Sequence, residues 1–131
     1  MKFDWIKDVP GFLKYFNDDH RLIIDLIGID NYFVLYTYFG KTGIYFPIRQ
    51  QDCDANNDRK IIAALIGEEN YKKLYQHFSR SGIYFSSVAI NQIKKAWAIK
   101  NRHIDYNEAA RTLDVAAKTI YRWRQSESIT V

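Results

Sequence analysis

The sequence predicts a mostly α-helical fold with a small β ribbon, in which tandem helix-helix-strand repeats are followed by a three-helix helix-turn-helix domain. Three observations lead to this prediction. An internal repeat of 39 residues occupies the middle of the chain, apolar residues recur at helical spacing within each copy, and residues 88–131 carry start and stop signals for three short helices. With 131 residues, 47% of them hydrophobic, the chain can bury a core but has no room for a separate catalytic domain.

The repeat becomes visible when the chain is shifted against itself by 39 residues. Positions 23–46 then align with positions 62–85, and thirteen of the twenty-four pairs are identical. We therefore expect two copies, at about 19–48 and 58–86, to share one conformation and to be related by an approximate two-fold axis with antiparallel strands. The polar segment 50–60 is the expected linker between them.

Each copy is expected to begin with a helix that ends at a glycine. Asp19 and Asp58 are the candidate N-caps, because a short acidic side chain accepts a hydrogen bond from the first backbone N–H groups of a helix. Gly28 and Gly67 follow the helices and supply the left-handed residue that stops them.

A second helix and a strand complete each copy. Tyrosine, leucine and phenylalanine at helical spacing place the second helices at about 31–39 and 70–78. Aromatic and β-branched runs after a glycine predict strands at 43–48 and 82–86. Because a lone strand cannot satisfy its backbone groups, the two strands are expected to pair with each other or with a second chain.

The C-terminal segment contains the signals of three further helices. The first is expected over about 88–101, with an apolar stripe that includes Trp97. Asp105 and Glu108 have the spacing of a capping box, which begins a short second helix at Tyr106. The third helix is expected over about 116–125.

The spacing between the second and third of these helices is typical of a helix-turn-helix. Ala110 is a small residue where the helices cross, Asp114 tolerates left-handed geometry in the turn, and Ile120 is an apolar anchor. Leu113, Val115 and Trp123 are the other expected buried positions. With Ile120 and Trp123 directed inward, a helical wheel directs four side chains outward: Lys118, Tyr121, Arg122 and Gln125.

Positive charge is concentrated in the same segment. Residues 1–87 carry eleven Lys or Arg against eleven Asp or Glu, whereas residues 88–131 carry eight against four. This distribution predicts a polyanionic partner, double-stranded DNA, for the C-terminal segment. Arg122 and Gln125 can form bidentate contacts to guanine and adenine edges. The full set of expected DNA-binding residues is Lys118, Thr119, Tyr121, Arg122 and Gln125 in the groove, with Lys94, Arg102, Arg111 and Arg124 on phosphates.

Two stretches resemble known regulators. Residues 106–125, ending in Lys-Thr-Ile-Tyr-Arg-Trp-Arg at 118–124, resemble the recognition unit of many bacterial and phage regulators. Leu-Ile-Gly at 26–28 through Gly-Lys-Thr-Gly-Ile-Tyr-Phe-Pro at 40–47 is similar to the N-terminal half of the Mor transcription activator family of phages. This resemblance implies a dimerising helix-helix-strand domain, a DNA-binding helix-turn-helix and recruitment of RNA polymerase. The duplication departs from the family, so a pseudo-dimer within one chain is an alternative to a two-chain domain.

The resulting expectation is a sequence-specific transcription regulator from a phage or prophage, cytoplasmic and homodimeric. Residues 1–86 are its expected dimerisation or partner-binding domain, and residues 87–131 its DNA-binding domain. The competing interpretation is a phage-encoded protein-interaction module, such as an inhibitor of a host defence complex, in which the helix-turn-helix is secondary. Aromatic-rich repeats suit such an interface, whereas the basic outward residues favour DNA.

No constellation of residues predicts an enzyme, a metal site or a cofactor. Cys53 is the only cysteine, and the histidines lack the spacing of a zinc site. Asp52, Asp54 and Asn56 match the first ligand positions of an EF-hand loop, but the turn glycine and the bidentate glutamate are missing. No apolar run approaches the roughly 20 residues of a membrane-spanning helix, so no membrane partner is expected.

Overall fold

The computed structural model describes residues 3–40, 42–46, 57–79 and 81–129. Within these residues it contains seven α-helices and one two-stranded antiparallel sheet, which confirms a mostly helical fold with a small β ribbon. In chain order the elements are α1 (Asp18–Ile27), α2 (Ile29–Phe39), β1 (Gly43–Tyr45), α3 (Asn57–Ile66), α4 (Glu68–Phe78), β2 (Gly82–Tyr84), α5 (Val88–Lys100), α6 (Tyr106–Leu113) and α7 (Ala117–Ile129). Two short 3-10 helices, Asp4–Asp8 and Phe12–Tyr15, precede them.

The chain divides into two compact units. The repeat unit is Phe16–Ser87, and the C-terminal unit combines the residues up to Tyr15 with those from Val88 onward. Residues 3–15, which were expected within a domain of residues 1–86, group with the C-terminal helices and not with the repeats. They do so because both 3-10 helices pack against α5. A 3-10 helix lacks the 3.6-residue period, so the sequence gives little sign of this packing.

The helix starts in the repeats differ from the predicted caps. The Asn17 side chain accepts a hydrogen bond from the backbone N–H of His20 at 2.9 Å, so α1 begins at Asp18. Asp19 and Asp58 therefore lie inside the first turns of α1 and α3, where the helix dipole favours a negative charge. Gly28 and Gly67 have φ values of 88° and 93° and separate the paired helices. A residue with a side chain adopts this conformation only under strain.

The β ribbon joins the two copies, and each copy makes the same backbone hydrogen bond to the other. Ile44 lies opposite Ile83, and the backbone N–H groups of Phe46 and Phe85 donate to the carbonyls of Ser81 and Thr42, both at 2.9 Å. Exchanging each residue for its counterpart in the other copy, 39 positions away, converts one of these bonds into the other. The ribbon therefore has local two-fold symmetry about the Ile44–Ile83 pair. Each strand ends at its tyrosine, so both are shorter than predicted.

The core of this unit is built across the copies. Helix α1 packs on α4, and α2 packs on α3. Phe85 lies with its ring centroid 5.9 Å from that of Tyr32, and Phe46 lies 5.9 Å from Tyr71 in the corresponding place. All four side chains are buried. Each copy thus contributes an aromatic side chain to the core of the other, and burying this apolar surface stabilises both.

In the part of the chain that the structure describes, no single helix is long and apolar enough to cross a membrane. The α1 and α2 pair meets the length and composition criteria only when taken together, and it bends by 119° at Gly28.

Candidate nucleic-acid interface

The turn between α6 and α7 is fixed by backbone geometry. Asp105 caps α6, since its carboxylate accepts a hydrogen bond from the Asn107 N–H at 3.1 Å. Asp114 has φ 56° and ψ 52°, the left-handed conformation predicted for it. The N–H groups of Asp114 and Val115 both donate to the Ala110 carbonyl, so the chain reverses within a few residues. Asp tolerates this conformation better than most residues because its short polar side chain can bond locally.

Helix α7 begins one residue later than expected and continues beyond the expected end. The backbone carbonyl of Ala116 accepts from the N–H groups of Thr119 and Ile120, so Ala116 stands at the cap and the helix starts at Ala117. It extends to Ile129, four residues past the predicted end at Gln125. A helix of this length can present more than two turns to a groove.

Buried apolar residues hold α7 against its neighbours. Ile120 is fully buried, as are Leu113 of α6 and Ile93 of α5, and α7 packs on both helices. Trp123 is half-buried and is not the second core anchor that was expected. The single deep anchor still sets which face of α7 is directed outward.

The outward face carries the predicted groove residues. Lys118, Tyr121, Arg122 and Gln125 are all exposed, whereas Thr119 is half-buried. The structure therefore places these four side chains on one helix face, opposite Ile120. Their donors and acceptors are of the kinds that recognise base edges.

Arg124 was expected to contact a phosphate, and the structure contradicts this. Its side chain is 8% exposed. Its Nε donates to the Ala98 carbonyl at 3.0 Å, and its two Nη atoms donate to the carbonyls of Ile104 and Asn101, each at 2.9 Å. The guanidinium also lies 5.3 Å from the ring centroid of Tyr106. Because each nitrogen already donates within the protein, Arg124 attaches α7 to the end of α5.

The remaining predicted phosphate ligands differ in how accessible they are. Arg111 is exposed on α6. Arg102 is also exposed, and one of its Nη atoms donates to the Arg124 carbonyl at 3.3 Å. Lys94 is half-buried and interacts with other groups of the protein. Arg111 is therefore the best placed of the three to meet an external anion.

The two structural units differ more in net charge than residues 1–87 and 88–131 do. Residues 1–15 and 88–131 together carry eleven Lys or Arg against six Asp or Glu, whereas residues 16–87 carry eight against nine. The unit that contains α6 and α7 is thus the basic one. An open cavity of about 490 Å³ lies at the start of α6, with Arg102, His103 and Gln125 in its wall.

Comparisons with protein-family models, with curated proteins and with solved structures give no match. Among the described residues, no three His, Cys, Asp or Glu side chains are grouped as metal ligands. Cys53 and the partial EF-hand pattern at Asp52, Asp54 and Asn56 lie outside those residues.

Sequence reasoning missed one residue of this surface. Tyr106, at the start of α6, is 41% exposed, and its ring centroid lies 5.9 Å from that of Tyr121, which is 49% exposed. The two rings form an aromatic pair that spans both helices. Only the tertiary packing brings them together, since fifteen positions separate them in the sequence.

Proposed function

We propose that this chain is a transcription regulator that binds double-stranded DNA through a helix-turn-helix formed by α6 and α7. The observation that supports it best is the exposed face of α7, where Lys118, Tyr121, Arg122 and Gln125 lie opposite the buried Ile120. The left-handed turn at Asp114 and the hydrogen bonds of the buried Arg124 attach α7 to its neighbours. This exposed face of α7, here called the reading face, is therefore formed before binding, which lowers the conformational entropy lost on binding.

The chemistry of the face suits the major groove, which is about 12 Å wide and admits an α-helix. The Arg122 guanidinium matches the O6 and N7 acceptors of guanine, and the Gln125 amide matches adenine. Each such bidentate contact discriminates by about 1–3 kcal/mol against a wrong base. Tyr121 adds an apolar ring with a hydroxyl group to the same face.

Phosphate contacts in this proposal come from the exposed cations beside the reading face. Arg111 is the main candidate, with Arg102 next to the cavity at the start of α6. Such contacts set the position on the duplex and carry no sequence information. The resemblance to the Mor family adds a phage or prophage origin and contact with RNA polymerase to the proposal. The composition of the chain, with its single cysteine, adds action in the cytoplasm.

The experiment selects the duplex that the protein binds best from a pool of random sequences. The affinity of each variant for this selected site is then measured by titration. We expect Arg122→Ala to weaken specific binding by about tenfold or more and to relax sequence preference, because it removes a bidentate base contact. Arg111→Ala should instead weaken binding to all duplexes equally and lower the slope of log K against log salt by about 0.9.

Lys72→Ala is the matched control, since Lys72 is an exposed cation on α4 of the repeat unit. It should leave the affinity unchanged. If Arg122→Ala and Lys118→Ala remain folded by circular dichroism and keep full affinity for the selected site, the helix-turn-helix proposal is wrong.

One observation favours the alternative of a protein-interaction module that inhibits a host complex. Tyr45 and Tyr84 are 56% and 61% exposed on the outer face of the ribbon. Aromatic side chains on a surface are typical of protein interfaces. Two results together would establish that alternative. The α7 variants would keep their DNA affinity, and a protein partner would bind the wild type but not Tyr84→Ala.

A further inference from the structure

A second surface of the C-terminal unit lies away from the reading face. An open groove of about 500 Å³ runs along α5 beside the second 3-10 helix. Gln92, Lys95, Ala96 and Ile99 line it from α5, and they recur at the spacing of one helical face. Tyr15 closes the groove from the 3-10 helix.

The floor of this groove is apolar. Tyr15, Ala96 and Ile99 are each half-buried, so part of every side chain remains open to solvent. The core stripe of α5 is a different face, on which Ile90 and Ile93 are buried. The groove therefore lies on a side of α5 that is distinct from its buried core stripe. None of its lining residues belongs to the reading face of α7.

The rim of the groove is cationic. Lys95 and Lys100 line it, and the Lys14 Nζ lies 5.2 Å from the ring centroid of Tyr15. No carboxylate is among the residues that line the described groove. The Lys100 Nζ donates to the Asp8 carbonyl at 2.7 Å, which holds that ammonium group at the rim. Because an ammonium group has three donors, two remain for a ligand.

An apolar floor with a cationic rim is complementary to an apolar side chain flanked by carboxylates. We propose that this groove binds an acidic segment of a partner protein, which inserts a leucine-like side chain against Ile99 and Tyr15 and places its carboxylates on Lys95 and Lys100. The groove is open to solvent, which suits a peptide better than an enclosed small molecule. This inference does not depend on DNA binding by α7.

The test uses the full chain and a fluorescein-labelled peptide in which leucines lie between glutamates, measured by fluorescence anisotropy. We expect Lys95→Gln to weaken peptide binding by about fivefold, as for a partly exposed ion pair. Ala96→Gln should abolish it, because the longer side chain fills the groove while keeping the helix propensity high. Circular dichroism establishes that both variants remain folded.

A matched pair of charge removals separates this site from the DNA site. Lys95→Gln should weaken peptide binding but change the affinity for the selected duplex by less than about twofold. Lys118→Gln should weaken duplex binding and leave peptide binding intact. A wild-type chain that binds the peptide but binds no duplex contradicts only the function proposed for α7. Equal weakening of peptide binding by both variants shows general attraction to a basic unit and overturns the groove proposal.

Two further results would overturn it. A peptide with alanine in place of leucine that binds as tightly shows that the apolar floor plays no part. The other occupants are a medium-chain carboxylate and a second copy of this chain. Saturable binding of octanoate without peptide binding would identify the carboxylate as the occupant. Conversion of a dimer to a monomer by Ala96→Gln would identify the second copy, and either result would exclude the peptide.

Discussion

Among the residues that the structure describes, Arg124 is the one charged residue that is buried. The carbonyls of Ala98 and Asn101 lie at the end of α5, where backbone acceptors have no partner within the helix. Arg124 donates to both and to the Ile104 carbonyl. Its positive charge is also favoured near the negative end of the α5 dipole. A cation that the sequence assigns to DNA thus fixes the helix that carries the reading face.

The first prediction follows from these three bonds. Arg124→Met keeps much of the side-chain volume but removes a donor from three carbonyls. The Asn101 carbonyl still accepts from the Ile104 N–H at 3.0 Å, whereas those of Ala98 and Ile104 lose their guanidinium donor, and an unsatisfied buried group costs about 1–3 kcal/mol. Two of the three bonds are only partly buried, so water can replace part of the loss. We expect the free energy of unfolding in urea to fall by about 2–4 kcal/mol.

Arg122→Met is the matched control, because Arg122 is exposed on the same helix. It should change the free energy of unfolding by less than about 0.5 kcal/mol. Equal stability of the two variants would contradict the role of Arg124.

The second prediction concerns His20, the histidine of the repeat unit that packs in its core. Burial lowers its pKa from the usual 6.5, partly opposed by a hydrogen bond with the Tyr84 backbone and by the charge of Asp19. Its Nδ1 lies 2.8 Å from the Tyr32 hydroxyl, and its ring lies edge-on to Phe85. The folded state therefore favours the neutral imidazole.

The sign of the pH effect follows from this lowered pKa. As the pH falls below 6.5, the unfolded chain takes up a proton before the folded chain does, so stability decreases until the folded-state pKa is also passed. We expect the urea midpoint to decrease between about pH 7.5 and pH 5.5, and His20→Gln to remove this slope because Gln does not titrate. Parallel pH dependence in the wild type and His20→Gln would show that other groups cause it.

At the scale of elements, the ribbon depends on two glycines in equivalent positions. A Cβ at Gly43 would lie 2.9 Å from the Ile83 carbonyl oxygen, and one at Gly82 would lie 2.9 Å from the Ile44 carbonyl oxygen. Both contacts are with backbone, which cannot move without disturbing the paired strand. The two strands therefore approach each other closely only because neither glycine carries a side chain.

The third prediction is that Gly43→Ala and Gly82→Ala destabilise the protein by similar amounts. Each should lower the free energy of unfolding by about 1–3 kcal/mol, as for other overpacked sites. The similarity is the informative part, since it follows from the local two-fold symmetry of the ribbon. Urea unfolding of the two variants checks it, and a loss in one variant alone would show that the strands are not equivalent.

The elements also show how far sequence reasoning reaches. The repeat and its glycines predicted the order of α1 to α4 and the two strands, because identical local patterns favour identical local structure. The turn at Asp114 was predicted because few residue types tolerate its conformation. The cap of α1 was misplaced by two residues, since Asn17, Asp18 and Asp19 are all capable of capping and only the backbone decides among them.

Tertiary packing accounts for what the sequence did not predict. Arg124 was assigned to the surface because charged residues are rarely buried without partners. It lies four residues after Ile120, however, on the same face of α7, so its position on the apolar side was already visible in the sequence. No local pattern could place its three carbonyl acceptors, which come from another helix and the loop that follows it.

At the scale of the whole molecule, the two units differ in net charge. The positive excess of the chain lies in the unit with α6 and α7, while the repeat unit is close to neutral. Within the repeat unit, β1 and β2 pair with each other in one chain. A second chain is therefore not needed to complete the ribbon, although each chain supplies only one α6–α7 pair.

The final prediction concerns stoichiometry. A single helix-turn-helix module buries only about 600–1,000 Å² on DNA, and such modules reach useful affinity by occupying two half-sites about 34 Å apart. We therefore expect the 15.5 kDa chain to be a homodimer, with twice the monomer mass in light scattering at tens of micromolar, and to protect a palindromic site. A monomeric mass combined with protection of one half-site would contradict this, and would mean that the internal duplication has replaced the second chain.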